Sequence, residues 1–308
     1  MSLIDTNNSE DPLGLMAIPR LGELMEYGDS DPMDEFHTNP APLITRRYPD
    51  RAIMNVTNTC GVYCRFCQRK RNIGEIDYAC NMEHYDEALK YIAEHEYIRD
   101  VLLTGGDPLT LSNDNLEMIL MKLRKIKHVE IIRIESRIPA SIPQRIDQNL
   151  VKMLKKYHPL YLNLHFNHPY ELTEESKNAC NRFSDAGIPL GNQMVLLRGV
   201  NDNKYLVLDL NKKLLEFRVK PYYVFFAKNI SGTTHFNCNI EKGLEIVDFL
   251  RGNLSGLGIP TFIVNATGGA GKVPILNKKF SISENDEVIL TTWEDKMVSF
   301  PNPHHVNY

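Results

Sequence analysis

"DVLLTGGDPLTLSNDNLEMILMKLRKIKHVEIIRIES", residues 100–136, decides the fold. It opens on a short apolar run that stops at a glycine pair, continues through the amphipathic stretch "NDNLEMILMKLRKI", and ends on the β-branched run "VEIIRIES". Two strands joined by a helix-length connection lie parallel, with a right-handed crossover; a hairpin would need only a few residues. The unit recurs on both sides. "AIMNVT" with "EHYDEALKYIAEH" precedes it, and "VEIIRIES" itself leads into "QNLVKMLKKY". "LYLNLHF" with "TEESKNACNRFSDAG", "GNQMVLL" with "NKYLVLDLNKKLLEF", and "PYYVFF" with "IEKGLEIVDFLRGNL" follow. Six strand–helix units in one style predict an α/β fold, a partial (β/α)6 TIM-like barrel rather than an open doubly wound sheet. "TFIVN" and "DEVILTTW" read as further strands beyond the sixth unit.

The first 45 residues, rich in Asp, Pro and Met with little periodicity, read as an extension that packs on something larger; "PRLGELMEYG" could make one short helix. The expected organisation is an extension over 1–45, a barrel over 46–295 and a tail over 296–308. A chain of 308 residues with 43% hydrophobic residues can bury a large core. Its formal charge of −4, with no basic patch or tail, argues against nucleic acid. Neither a signal peptide nor an 18-residue apolar run is visible, so no membrane partner is expected. Of six cysteines, Cys80, Cys180 and Cys238 are scattered and read as small apolar residues, which suits a reducing cytoplasm.

Barrels of this kind gather their chemistry where the strands end. The predicted strand ends hold Cys60, Cys64 and Cys67, then Gly105-Gly106-Asp107, Ser136-Arg137, His165, Lys228 and Asn265, with Gln193 inside its strand. Thiolates at tight spacing select zinc or iron–sulfur. A structural zinc wants four closed ligands, and "CGVYCRFC" provides three. Three would leave one iron of a 4Fe–4S cluster open to an outside ligand. Further on, "NATGGAGKVP" sets Lys272 in a glycine-rich loop that lacks the Ser or Thr of a P-loop. Glycines let a backbone approach phosphate, and a lysine amine can condense with an aldehyde, a combination that suggests pyridoxal phosphate.

The spacing of the cysteines, with Phe66 before the last, resembles the cluster loop of the radical SAM superfamily, and "TGGDP" resembles its glycine-rich segment. From about Asp31 to Trp293 the chain is similar to the lysine 2,3-aminomutase family of radical SAM enzymes. "RRYPDRA", "CRFCQRKR", "HFNHPYELTEES", "PLGNQMVLLRGVND" and "GGAGKVP" carry the likeness in order. The resemblance implies three cofactors: a 4Fe–4S cluster on Cys60, Cys64 and Cys67, S-adenosylmethionine (SAM), and pyridoxal phosphate on Lys272. Phe66, Gly105, Gly106 and Asp107 would attend SAM. Arg47 and Arg51 would serve the phosphate, Gly268, Gly269 and Gly271 would shape its loop, and His165 and Gln193 would line the cavity. Arg69 would meet the substrate α-carboxylate. An external one-electron reductant is implied.

Two departures from the family pattern follow. Where the lysine enzymes place two aspartates against the distal ammonium of the substrate, this chain has Lys228 and Asn265. A buried ammonium there would meet a like charge, whereas a carboxylate would accept hydrogen bonds from both. An acidic amino acid, L-glutamate, is therefore the expected substrate and β-glutamate the product, as in the glutamate 2,3-aminomutase branch. Retained action on free or protein-bound lysine stays open, as does a non-catalytic iron–sulfur module, against which Lys272 argues. Read blandly, Lys228 snorkels outward and Asn265 is a turn residue. The second departure is Asn203 and the ending "NPHHVNY", where the family carries zinc-binding cysteines. No structural zinc is expected, and the family's homo-oligomer is left in question.

Overall fold

In the computed structural model, which describes residues 3–25, 27–73, 82–277 and 279–302, nine strands lie side by side in chain order. These are β1 (Ile44–Tyr48), β2 (Arg51–Thr57), β3 (Asp100–Gly105), β4 (Ile131–Ser136), β5 (Leu160–Leu164), β6 (Leu190–Leu196), β7 (Lys220–Phe226), β8 (Thr261–Ala266) and β9 (Gly271–Pro274). From β2 to β8 every neighbour pair is parallel, while β1 and β9 are antiparallel edges. Each expected strand is present, and "TFIVN" adds a seventh parallel member. The sheet curls into a partial barrel, with β1 and β9 at its two ends.

The helices are α1 (Pro12–Ala17), α2 (Met82–Glu94), α3 (Asn113–Arg124), α4 (Ile138–Ser141), α5 (Gln148–Leu154), α6 (Glu174–Asp185), α7 (Lys204–Glu216) and α8 (Ile240–Asn253). Their starts are written in the sequence. Ser112, Asp147, Thr173, Asn203 and Asn239 each accept a first-turn N–H through the side chain, satisfying donors the helix itself cannot. Asn203, singled out for lacking a thiol, caps α7. The buried faces of α2, α3 and α5–α8 meet the outer face of the sheet in one apolar core that includes Ile92, Leu120, Leu154, Cys180, Leu214 and Leu250.

Beyond β9, β10 (Phe280–Ile282), β11 (Glu287–Thr291) and β12 (Met297–Pro301) form a separate antiparallel sheet. Its Trp293 packs against Gly252 of α8, where an added Cβ would come within 2.2 Å of the indole. The boundary expected after residue 295 falls in the turn between β11 and β12, and 297–301, expected as tail, is the third strand. Cys80, His304 and His305 lie outside the described residues.

The extension lies across the C-terminal ends of the strands. Leu13, Leu15 and Met16 of α1 join Leu197, Val200, Ala227 and Phe236 in a second apolar cluster, with Phe66 packed against it. The helix expected within "PRLGELMEYG" is a single 3-10 turn, Leu21–Leu24. It carries Glu23, which accepts from Arg65 Nε at 2.8 Å and from Lys70 Nζ at 2.5 Å. Burial pushes the Glu23 carboxyl up, but these two cations win and hold it at about 2. A depressed carboxylate stabilises fully above its ordinary value near 4.5 and ceases to do so as pH falls towards 2. Glu23→Gln should therefore speed tryptic cleavage within the extension roughly 5- to 30-fold at neutral pH, the factor for about 1–2 kcal/mol. Wild-type protein should acquire the same sensitivity to an acid protease between pH 4.5 and 2, and unchanged cleavage in both cases would exclude a clamp.

Candidate active site

Leaving β2, the loop at Cys60, Cys64 and Cys67 enters a cavity at the mouth of the barrel that all three cysteines line. The glycine pair at the end of β3 is what lets the loop pass. A Cβ on Gly105 (φ +115°) would stand 2.3 Å from the Thr57 carbonyl oxygen, and one on Gly106 2.3 Å from that of Thr59. The N–H groups of Gly106 and Asp107 donate to those same two carbonyls at 2.5 and 2.8 Å. Asp107 lines the cavity with its carboxylate already committed, accepting from Ser136 Oγ (3.0 Å), Arg137 N (2.7 Å) and Leu109 N (3.0 Å). Burial nevertheless raises its pKa.

Burial, with repulsion from Cys64, also pushes the Cys60 thiol far up and the Cys67 thiol to about 11. Thiols so placed favour the protonated form at neutral pH, and a bound cation would draw out the thiolate. Among the described residues no three His, Cys, Asp or Glu side chains converge as a single ion would need. A cubane presents its irons at separate corners, so its ligands need not meet at a point. Donor type and shared cavity both fit a 4Fe–4S cluster.

At the other end, β8 and β9 form a hairpin in which Asn265 pairs directly with Lys272, placing both side chains on one face. Lys272 N–H donates to Tyr48 Oη of β1 at 2.8 Å, a side-chain bridge between the two edge strands. Gly271 (φ +101°) is needed beneath it, since a Cβ would sit 2.9 Å from that hydroxyl. Lys272 Nζ projects into the cavity between the rings of Tyr48 and Phe225, 6.0 and 5.9 Å from their centres. Protein surroundings lower its pKa by desolvation; Glu135 opposes this, and Arg133, Arg51 and Arg47 reinforce it. A lysine amine so depressed is the more readily neutral and nucleophilic.

A second cavity adjoins the first and shares Arg47, Glu135, Gln193, Asn265 and Lys272 with it, while Arg51 and Gly271 line only the second. His165 lines the first, its Nδ1 3.1 Å from the Gln193 carbonyl oxygen. Gly268 and Gly269 line neither. Gly269 turns at φ +73° beside the extension, where a Cβ would be 3.1 Å from the Met33 carbonyl oxygen, and Gly268 N donates to the Pro32 carbonyl at 3.0 Å.

Between the two ends, Arg69, Lys228 and Asn265 line the first cavity together. Lys228 is half-buried and turned into the cavity rather than snorkelled outward, and its ammonium donates to Gln68 Oε1. Desolvation, then Arg69 and Arg47, push it down to about 7 against the opposing pull of Glu35. The Nε atoms of Arg47 and Arg69 are buried without a hydrogen-bond partner, donors that a ligand carboxylate or phosphate could satisfy.

Sequence reading missed two carboxylates. Glu35, in the extension, stands 3.3 Å from Arg47, 3.1 Å from Arg69 and 2.8 Å from Arg71. Nothing local marked it. Glu135 accepts from Thr104 Oγ1 at 3.2 Å; burial opposes its ionisation, yet His165, Arg69 and Lys272 keep its pKa low. An acid inside the apolar run "VEIIRIES" was a usable signal.

The fold has a counterpart in a radical SAM methyltransferase from Sphaerobacter thermophilus, with a TM-score of 0.51 at 16% identity over 74% of this chain and 72% of that one. Residues 54–209 match the radical SAM superfamily model, and residues 247–308 match the model described as lysine-2,3-aminomutase. The glutamate 2,3-aminomutase of Clostridioides difficile (strain 630) is 52% identical over 97% of this chain and 71% of its own length. The L-lysine 2,3-aminomutase of Clostridium subterminale is 47% identical over 100% of this chain and 74% of its own. Likeness of this extent, over a barrel whose mouth gathers three cysteines, two lysines and arginines paired with Glu35, makes the chain a member of the lysine 2,3-aminomutase family of radical SAM enzymes.

Proposed function

We propose that the protein moves the α-amino group of L-glutamate to the β-carbon, giving β-glutamate. The observation that carries this is the charge lining the cavity, where Lys228 and Asn265 share the wall with Arg69. The cavity's carboxylates offer a lysine ammonium no partner: Asp107 is spent on Ser136 and Arg137, and Glu135 lies in the field of His165, Arg69 and Lys272. A dicarboxylate would instead relieve the repulsion among Lys228, Arg69 and Arg47. Arg69, steadied by Glu35, would bind the α-carboxylate, and Lys228 and Asn265 the distal one. Lys272 would hold pyridoxal phosphate by its amine, with the phosphate near Arg47 and Arg51. When bound, the cluster and SAM supply the initiating radical, and pyridoxal phosphate spreads the unpaired electron while nitrogen migrates. No helix among the described residues is long and apolar enough to cross a membrane.

The test is substrate preference under anaerobic, reducing conditions with SAM and pyridoxal phosphate. Lys228→Met should lower kcat/KM for glutamate about 10- to 100-fold, since hydrogen bonds to charged groups contribute roughly 1.5–3 kcal/mol. Asn265→Ala should cost less, and aspartate, one methylene shorter, should react poorly. With Lys228 at about 7 in the empty pocket, an anion binds best where it is protonated. KM for glutamate should thus rise roughly tenfold per pH unit above 7, until the bound-state pKa is reached, and this rise should vanish in Lys228→Met. Faster turnover of lysine than of glutamate by the wild type would sink the substrate assignment.

A further inference from the structure

Arg137 immediately follows β4, and contacts on several sides fix it. Its backbone N–H donates to Asp107 Oδ2 at 2.7 Å, and its guanidinium carbon stands 5.7 Å from the centre of the Phe66 ring. Nη2 donates to Glu171 Oε1 at 2.7 Å and approaches Met16 Sδ at 3.6 Å. Glu171 is held in turn, because Oε2 accepts the N–H groups of Asn167 and His168 at 2.6 and 3.0 Å. The two side chains are 12% and 5% exposed, so water screens the pair little. Nε is buried without a hydrogen-bond partner, and Nη1 donates to Cys64 Sγ at 2.9 Å. Cys67 Sγ, by contrast, accepts a backbone N–H, from Arg69 at 3.4 Å.

We propose that Arg137, clamped by Glu171, sets the reduction potential of the cluster through its hydrogen bond to Cys64. The inference rests on Cys64 being a cluster ligand. One-electron reduction adds negative charge to the cluster, and part of that charge lies on the ligand sulfurs. A donor and a positive charge at one of them stabilise the reduced form and raise the potential. The Glu171 carboxylate cancels part of this effect, so the two residues act with opposite sign. Arg137 is a positioning and tuning residue here; it takes no part in transferring the electron that the external reductant supplies.

The measurement is the potential of the anaerobically reconstituted cluster, followed by electron paramagnetic resonance in mediated dithionite titrations, after iron and sulfide contents are matched. Without SAM, Arg137→Met should lower the reduced-to-oxidised ratio at a fixed potential about tenfold, equivalent to about 59 mV for one electron. Arg137→Lys, which keeps the charge, should shift it less, and Glu171→Gln should shift it the opposite way. Equal potentials, shifts of one sign in both the Met and Gln variants, or shifts that need SAM would overturn the proposal. If neither Arg137 variant assembles a cluster, the sign of the Glu171→Gln shift decides. Full cluster content in Cys64→Ala would instead remove the ligand assignment on which the proposal stands.

Discussion

Alanine at Cys60, Cys64 or Cys67 is expected to abolish reductive cleavage of SAM, while Cys180→Ala leaves it intact. The three cysteines line one cavity, and Cys180 lies on the core-facing side of α6. A cluster held by three thiolates has no spare ligand, so losing any one releases iron or leaves an iron that cannot chelate SAM. Among the described residues no other His, Cys, Asp or Glu cluster could substitute. Iron and sulfide analysis should fall from about four of each per chain in parallel with 5′-deoxyadenosine formation. Full cleavage in Cys64→Ala would defeat the cluster assignment. Cys180→Ala tests something different, since it removes a buried sulfur from packed surroundings and should cost stability, at roughly 1 kcal/mol, rather than chemistry.

Lys272→Ala is expected to eliminate amino-group migration yet permit SAM cleavage uncoupled from product. Lys272 stands at the β8–β9 hairpin, bridged to β1 through Tyr48, whereas the cysteine loop leaves β2. The two chemistries are held by different elements, so one can be removed without the other. Borohydride treatment of wild-type protein loaded with pyridoxal phosphate should fix the cofactor on the peptide that contains Lys272. The visible absorbance of the lysine-bound cofactor should be lost in the variant. A tag on any other lysine would overturn the assignment of the glycine-rich loop. Tyr48→Phe removes the acceptor for the Lys272 N–H and should lower cofactor occupancy while sparing the cluster, because that hydroxyl ties β9 to β1.

The sequence carried whatever depends on near neighbours. Alternating short strands and amphipathic helices impose the parallel order β2 to β8, since each connection is too long for a hairpin and long enough for a crossover. The cysteine spacing is set by covalent proximity, and the helix caps at Ser112, Asp147, Thr173, Asn203 and Asn239 are side chains acting two or three residues away. Lys228 and Asn265 were legible against the family pattern as one charge reversed and one removed, because residue identity alone sets the sign.

Only the tertiary structure decided how the cations of "CRFCQRKR" are neutralised. Glu23 answers Arg65 and Lys70, and Glu35 answers Arg69 and Arg71. These partners lie more than thirty residues away, in an extension that looked formless. A segment without periodicity gives no local sign of where it will lie, because its position follows from the apolar seat of α1 on the loops after β6 and β7, far along the chain. The same holds for the Arg137–Cys64 contact, which spans 73 residues and exists because β2 and β4 flank β3 in the curled sheet. Sequence periodicity fixes which face of an element is buried. Which charge meets which across the mouth is fixed only once the barrel brings its strand ends together.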